Sequence, residues 1–200
     1  IYWYWNPVNN HTVPDLTRDD KIECWSFDEK DCIQYNMRKN IQYYYEQDDG
    51  ENTKTDYDIY FVGHDKGRKG MIKEIDNQIT AQKLHGKFDL LRDTDQLIPY
   101  SEVQARIRRT RAILEVNQKG QVGCTLRALE SLFFRKKLIT TNVNIQNEDF
   151  YNPENIFIYG KDDIHKLREF IEKPYDERSD LFRDKHTVDA WFLNFFSEDN

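Results

Sequence analysis

The sequence predicts an α/β protein with a mostly parallel, Rossmann-like sheet. From about Asp56 to Pro174, short apolar runs alternate with segments whose apolar residues recur every three or four positions. Two of the transitions from strand to helix carry a glycine, Gly63 in the first and Gly123 in the second. A strand, a glycine turn and a helix in this order are typical of folds that bind phosphates at a helix N-terminus.

The composition fits one sizeable domain and argues against nucleic-acid binding. Of 200 residues, 38% are hydrophobic and 14% are aromatic, and the formal net charge is −7. Because proteins bind nucleic acids by neutralising phosphates with basic side chains, we expect no nucleic-acid partner. The three cysteines form no Cys-x-x-Cys pair, and no apolar run approaches the roughly 20 residues of a membrane span. We therefore expect a cytoplasmic protein with reduced thiols.

Residues 1–50 predict the end of a preceding, truncated domain. Ile1–Trp5 and Ile22–Phe27 resemble strands, and the polar stretch Gln47–Thr55 predicts a linker. Because the chain begins without a methionine inside an apolar alternation, we expect a missing N-terminal domain as a partner.

The two ends of the chain are rich in aromatic residues. Trp3, Trp5 and Trp25 suggest either core aromatics or a sugar-stacking platform, and core packing is the simpler interpretation. Residues 175–200 predict a C-terminal extension that ends in an apolar cluster, Trp191, Phe192, Phe195 and Phe196. The N-terminal strands have no obvious sheet of their own, so we expect them to pack on this cluster, on another copy or on the missing domain.

The Rossmann-like unit, residues 51–174, begins with a strand at Tyr57–Val62 and continues with a basic turn and a helix. The turn holds four candidate residues for contacts with a diphosphate: Gly63, Lys66, Gly67 and Arg68. It lacks the Gly-x-Gly-x-x-Gly spacing, so we expect no dinucleotide cofactor. The alternative interpretation is a solvated basic turn.

Further elements follow in alternation. Strands are predicted at Phe88–Leu91, Ala112–Val116 and Ile156–Tyr159, and a helix at Asp163–Glu172. Another helix is predicted to open with a capping box, in which Ser101 and Gln104 satisfy the first backbone N–H groups.

The stretch from Gly120 to Asn142 predicts a glycine turn, a short helix and a buried strand. Gly123 and Thr125 stand at the helix start, where N–H groups without partners attract anions. Arg127 and Glu130 lie three residues apart and therefore side by side. They are candidates for a phosphate contact and a ribose contact, and the alternative is an ordinary ion pair on a helix surface.

This pattern of Gly-x-Thr-Leu-Arg-x-x-Glu and a Leu-Ile-Thr strand resembles the donor-binding half of GT-B glycosyltransferases, in particular those of bacterial capsule and lipopolysaccharide biosynthesis. The resemblance implies that Glu130 contacts the ribose of a nucleotide sugar and that Arg127 lies near its phosphates. The Val-Gly-x-x-Lys-Gly-Arg turn is similar too, and implies donor-phosphate contacts for Lys66 and Arg68. Many retaining members carry a glutamate where this chain has Val122, so the stereochemistry stays open.

A metal-dependent mechanism has weaker support in the sequence. Asp93-Thr94-Asp95 mimics the metal-binding motif of GT-A glycosyltransferases. However, the chain has so many aspartates that about two such triplets are expected by chance, and two occur, the other being Asp56-Tyr57-Asp58. We therefore expect no metal site.

Together with these observations, the resemblance implies a metal-independent glycosyltransferase with no cofactor and with a nucleotide sugar, such as a UDP- or GDP-sugar, as substrate. The implied acceptor is a glycan or a lipid-linked molecule of the cell envelope, with peripheral association at the inner face of the membrane. No catalytic base is predicted. A non-catalytic nucleotide- or partner-binding module and a sugar-nucleotide epimerase of the same architecture are the alternatives.

Overall fold

The structure is a computed structural model that describes residues 1–14, 22–45, 54–118 and 123–197. Most of the predicted linker Gln47–Thr55, together with Gly120 and Val122, lies outside these residues. The strands, in chain order, are β1 (Tyr2–Tyr4), β2 (Cys24–Ser26), β3 (Arg38–Lys39), β4 (Tyr57–His64), β5 (Gly86–Leu91), β6 (Thr110–Glu115), β7 (Lys137–Thr140) and β8 (Ile156–Ile158). The α-helices are α1 (Glu29–Tyr35), α2 (Lys69–Ala81), α3 (Tyr100–Arg108), α4 (Leu126–Phe133), α5 (Leu167–Glu172) and α6 (Val188–Asn194), and the 3-10 helices are Val143–Asn147, Ile164–Lys166 and Glu177–His186.

Five of the strands form one parallel sheet, which confirms the predicted α/β class. The spatial order is β5-β4-β6-β7-β8, and every neighbouring pair is parallel. The chain moves from β4 outward to β5 and then returns to the other side of β4 with β6. This reversal makes the carboxyl ends of β4 and β6 the switch point of a doubly wound sheet, where such folds bind ligands.

The core occupies both faces of this sheet because successive strand residues point to opposite sides. On one face, Tyr60 and Ile113 pack with the apolar residues of α3 and α4. On the other face, Ile59, Phe61 and Leu114 pack with those of α2 and α5. Apolar residues at both the odd and the even positions of a strand are characteristic of parallel sheets that are covered on both faces.

The N-terminal strands do form a sheet, contrary to the prediction. β1, β2 and β3 are parallel and adjacent in that order. The sheet packs on the C-terminal extension: Trp3 and Trp25 make edge contacts with Phe195, and Trp3 also contacts Trp191. The predicted packing on the C-terminal cluster is therefore present, through two of its four aromatic residues.

Two local predictions are wrong. Trp5 is 70% exposed and belongs to no core, whereas Trp25 is fully buried as predicted. α3 begins at Tyr100 without a side-chain cap, so Ser101 lies inside the helix and the capping box does not form. The buried amide of Gln104 instead donates to the hydroxyl of Tyr44, 3.2 Å away.

Candidate functional site

The turn after β4 is closed by Arg68, whose side chain is half-buried. Its guanidinium donates to the carbonyl oxygens of His64, Asp65 and Val116, the last at 2.7 Å. The Val116 carbonyl follows β6, so this one side chain ties the two turns of the switch point together. A Cβ on Gly63 would lie 2.8 Å from this guanidinium, and glycine therefore leaves room for the clamp.

The charges of this turn are partly neutralised within the protein. Asp65 accepts from the backbone N–H of Lys69 at 2.8 Å and so caps the start of α2. Lys66 and Gly67 adopt positive φ angles, 41° and 81°, and both are exposed. Burial lowers the pKa of Arg68, and the nearby positive charge of Arg127 adds to that effect. Lys66 is therefore the cation of this turn that best suits an external anion.

The segment after β6 is held by a buried carboxylate that the sequence analysis missed. Glu115 accepts from the hydroxyl groups of Thr125 and Thr140. Thr125, which stands at the helix start as predicted, in turn caps α4 by accepting from the N–H of Arg127 at 3.1 Å. Burial raises the pKa of Glu115, against the opposing effect of these hydroxyl donors. The available signal was an acidic residue within the apolar strand Ala112–Val116.

Arg127 and Glu130 form an ion pair, but it lies on the buried face of α4 and not on the solvent-exposed face. The Glu130 side chain is fully buried, and that of Arg127 is 23% exposed. The second carboxylate oxygen of Glu130 accepts from the Tyr100 hydroxyl at 2.7 Å. Burial raises the pKa of Glu130, while Arg127 and Tyr100 act in the opposite direction. In this arrangement the carboxylate faces protein groups, and a ribose reaches it only if the surroundings move.

Two clefts adjoin at the switch point. The smaller one has a volume of about 620 Å³. Lys66, Gly67 and Arg68 line one side of it, and the residues after β6 and β7 line the other. The polar groups of that other side are Asn117, Gln118, Thr141, Asn142 and Asn144. The turn after β4 and the residues that follow β6 thus meet at one edge of the sheet.

A larger cleft of about 770 Å³ lies beside it, between the N-terminal residues and the same sheet edge. Phe27, Asp28 and residues of α1 form one wall, and Gly123, Cys124 and Glu148 belong to the other. Gly123 permits close contact between the walls, since a Cβ there would lie 2.8 Å from the Phe27 ring. Asn144 lines both clefts, so they adjoin at that residue.

The eight predicted site residues therefore separate into groups. Lys66, Gly67 and Arg68 line the smaller cleft and Gly123 lines the larger one. As far as the structure describes the chain, Thr125, Arg127 and Glu130 line neither cleft. Their side chains bond to other protein groups and hold the start of α4 in place. Gly63 acts through the space that it leaves for Arg68.

Neither aspartate triplet gathers ligands for a metal ion. Asp95 accepts from the Arg92 backbone N–H at 2.8 Å, and Asp58 accepts from the His85 backbone N–H at 2.8 Å. Among the residues that the structure describes, no three His, Cys, Asp or Glu side chains are grouped closely enough to hold a metal ion. Within the same residues, no helix combines the length and the apolar character needed to cross a bilayer.

No protein-family model matches this chain, and no curated protein sequence matches it significantly.

Proposed function

We propose that this protein is a glycosyltransferase that uses a nucleotide sugar as donor. The nucleotide occupies the smaller cleft, with its diphosphate against Lys66 and the turn of Gly67. The sugar points into the larger cleft, where the acceptor binds. The acceptor is a glycan or a lipid-linked saccharide, and the latter would bring the protein to a membrane surface.

The observation that carries this proposal is the adjoining of the two clefts at the switch point of a doubly wound sheet. Asn144 lines both cavities, so a donor bound in one lies next to an acceptor bound in the other. Sites at this edge, outside the carboxyl ends of the strands, are the usual ligand position of doubly wound folds. A bisubstrate transfer requires such a pair of neighbouring compartments.

Glycosyl transfer releases a negatively charged nucleoside diphosphate while the sugar becomes positively charged. A cation fixed beside the departing phosphate stabilises the transition state more than the ground state. Lys66 is suited to this role because it is exposed at the edge of the smaller cleft. Arg68 supports it by holding the turn in place through its carbonyl contacts.

A transfer assay tests the proposal. The full-length protein is incubated with a panel of UDP- and GDP-sugars and saccharide acceptors, and product is followed by mass spectrometry. We expect transfer from one donor, and we expect Lys66→Ala to lower kcat/KM by about 100-fold, as is typical when a stabilising donor is removed. Absence of transfer and of donor hydrolysis across the panel would overturn the proposal.

A non-catalytic module that binds a nucleotide or a protein partner is the second candidate. This candidate is supported because two residues predicted to contact the ligand already have protein partners. Arg68 donates to carbonyl groups, and Glu130 pairs with Arg127 and accepts from Tyr100. Tight nucleotide binding without any turnover by the full-length protein would favour this candidate.

A further inference from the structure

The lining of the larger cleft suits a neutral ligand rich in hydroxyl groups. Its acidic side chains, Asp28, Glu29 and Glu148, are nearly balanced by Lys30 and Lys39. Amides make up most of the remaining polar lining: Gln34, Asn40, Gln42, Asn144, Asn147 and Asn194. Amides and carboxylates both donate to or accept from hydroxyl groups, whereas a polyphosphate would require an excess of cations.

Glu148, which is half-buried, differs from the buried acids Glu115 and Glu130 near the same sheet edge. The carboxylates of Glu115 and Glu130 accept hydrogen bonds from protein groups. The carboxylate of Glu148, by contrast, makes no hydrogen bond or ion pair with any residue in the described part of the chain, although its side chain lines the larger cleft. A carboxylate in this setting is open to a ligand.

The main chain fixes the position of this side chain. Glu148 directly follows the 3-10 helix Val143–Asn147, and its N–H donates to the carbonyl of Ile145 at 3.1 Å. Its own carbonyl accepts from the N–H of Tyr151, also at 3.1 Å. The backbone is therefore held on both sides of the residue, and the side chain is presented to the cleft from a fixed point.

The surroundings of Glu148 favour proton uptake. Partial burial raises the pKa of Glu148, and the charges of Asp149 and Glu115 add to this effect. His186 and Lys39 oppose it, and Asp28, Glu29 and Lys30 line the same cleft. A general base is most effective when its pKa approaches the working pH, and the shift is in that direction.

We infer that the larger cleft binds the acceptor saccharide and that Glu148 is the catalytic base that takes the proton of its attacking hydroxyl. The inference rests on the proposed function. The acceptor oxygen forms a bond to the anomeric carbon of the donor sugar as the bond from that carbon to the phosphate oxygen breaks. The proton of the hydroxyl passes to Glu148, and the nucleoside diphosphate leaves with the bonding electrons. A single displacement of this kind inverts the anomeric centre.

The test compares Glu148→Gln with wild type, using the full-length protein and the donor found to be active. We expect kcat to fall by about 100-fold or more, as is usual for loss of a general base. The Kd of the nucleoside diphosphate should not change, because Glu148 lies outside the smaller cleft. The acidic limb of the pH–rate profile should disappear, and an acceptor with a more acidic hydroxyl should recover part of the rate.

Glu169→Gln is the matched control, since it makes the same glutamate-to-glutamine change on the exposed surface of α5. The Glu169 side chain pairs with Lys173 at 3.2 Å and lines neither cleft. It should keep the wild-type rate. Equal rates and pH profiles for Glu148→Gln and wild type would overturn this inference while leaving the proposed function standing. An inactive wild type would overturn both, and retention of anomeric configuration would overturn the single displacement by Glu148.

Discussion

The turn after β4 and the segment after β6 leave neighbouring parallel strands and both bring an arginine to the switch point, yet they hold it differently. Arg68 is held by main-chain carbonyls, which join the two turns to each other. Arg127 is held by the buried carboxylate of Glu130, which itself receives the Tyr100 hydroxyl. The first arginine fixes backbone geometry and the second balances a buried charge. An arginine at a candidate phosphate site therefore has a structural role to be separated from any ligand contact.

The largest effect is expected for Glu130→Ala. Removing one partner of a buried ion pair leaves Arg127 without its carboxylate and takes one acceptor from the Tyr100 hydroxyl, and it typically costs about 3–5 kcal/mol. Urea unfolding followed by circular dichroism measures this loss. Glu130→Gln, which keeps an acceptor of the same shape, should lose less. A change below about 1 kcal/mol for Glu130→Ala would contradict the structural role of the pair.

Arg68→Ala should come next. We expect a loss of about 2 kcal/mol in the free energy of unfolding, because three carbonyl groups lose a charged donor in a half-buried setting. Arg68→Lys should recover little, since an ammonium group lacks the planar fork that reaches several acceptors. If Arg68→Lys is as stable as wild type, the guanidinium does not clamp the two turns.

Glu115 gives the segment after β6 a dependence on pH. Burial raises the pKa of Glu115 above its value in the unfolded chain, about 4.3. Its stabilising contribution is thus complete below that pH and is lost as the pH rises through the folded-state pKa. Glu115→Gln should remove this decline. The test measures the free energy of unfolding of wild type and Glu115→Gln at about pH 4 and about pH 7.5. If this free energy falls as steeply with pH in the mutant as in wild type, Glu115 is not the cause of the decline.

The smallest effect is expected for Asp93→Asn combined with Asp95→Asn. Asp95 pairs with Arg92 at 2.9 Å, and the Asp93 side chain is 92% exposed. Exposed ion pairs contribute little to stability, so the unfolding midpoint should stay the same. Transfer by the full-length protein should also persist with a chelator present. A requirement for Mn²⁺ or Mg²⁺ that is lost in the double mutant would restore the metal-binding interpretation.

The order of the strands and helices along the chain was predictable for the five-stranded sheet and the helices that cover it, because the spacing of apolar residues within each element indicates its type. The same applies to Thr125, whose capping role depends on residues next to it in sequence. The N-terminal sheet was not predictable in this way: β3 has two residues, both exposed, and offers no period.

The partners of the charged site residues depend on distant parts of the chain. Tyr100 reaches Glu130 across 30 positions of sequence, and the Arg68 contact with Val116 spans 48. Local sequence indicates that these residues lie near the sheet edge. It contains no information on whether a protein group or a ligand meets them there.

Titration of UDP and GDP into wild type, Lys66→Ala and Lys69→Ala tests the central claim most directly. Lys66 lines the smaller cleft, whereas Lys69 is an exposed lysine three positions later that does not line it. By isothermal calorimetry we expect wild type and Lys69→Ala to bind one nucleotide equally. Lys66→Ala should bind it at least about 10-fold more weakly, as expected for loss of a charge-assisted hydrogen bond. No binding to wild type, or equal affinities for all three proteins, would contradict a nucleotide site at the switch point.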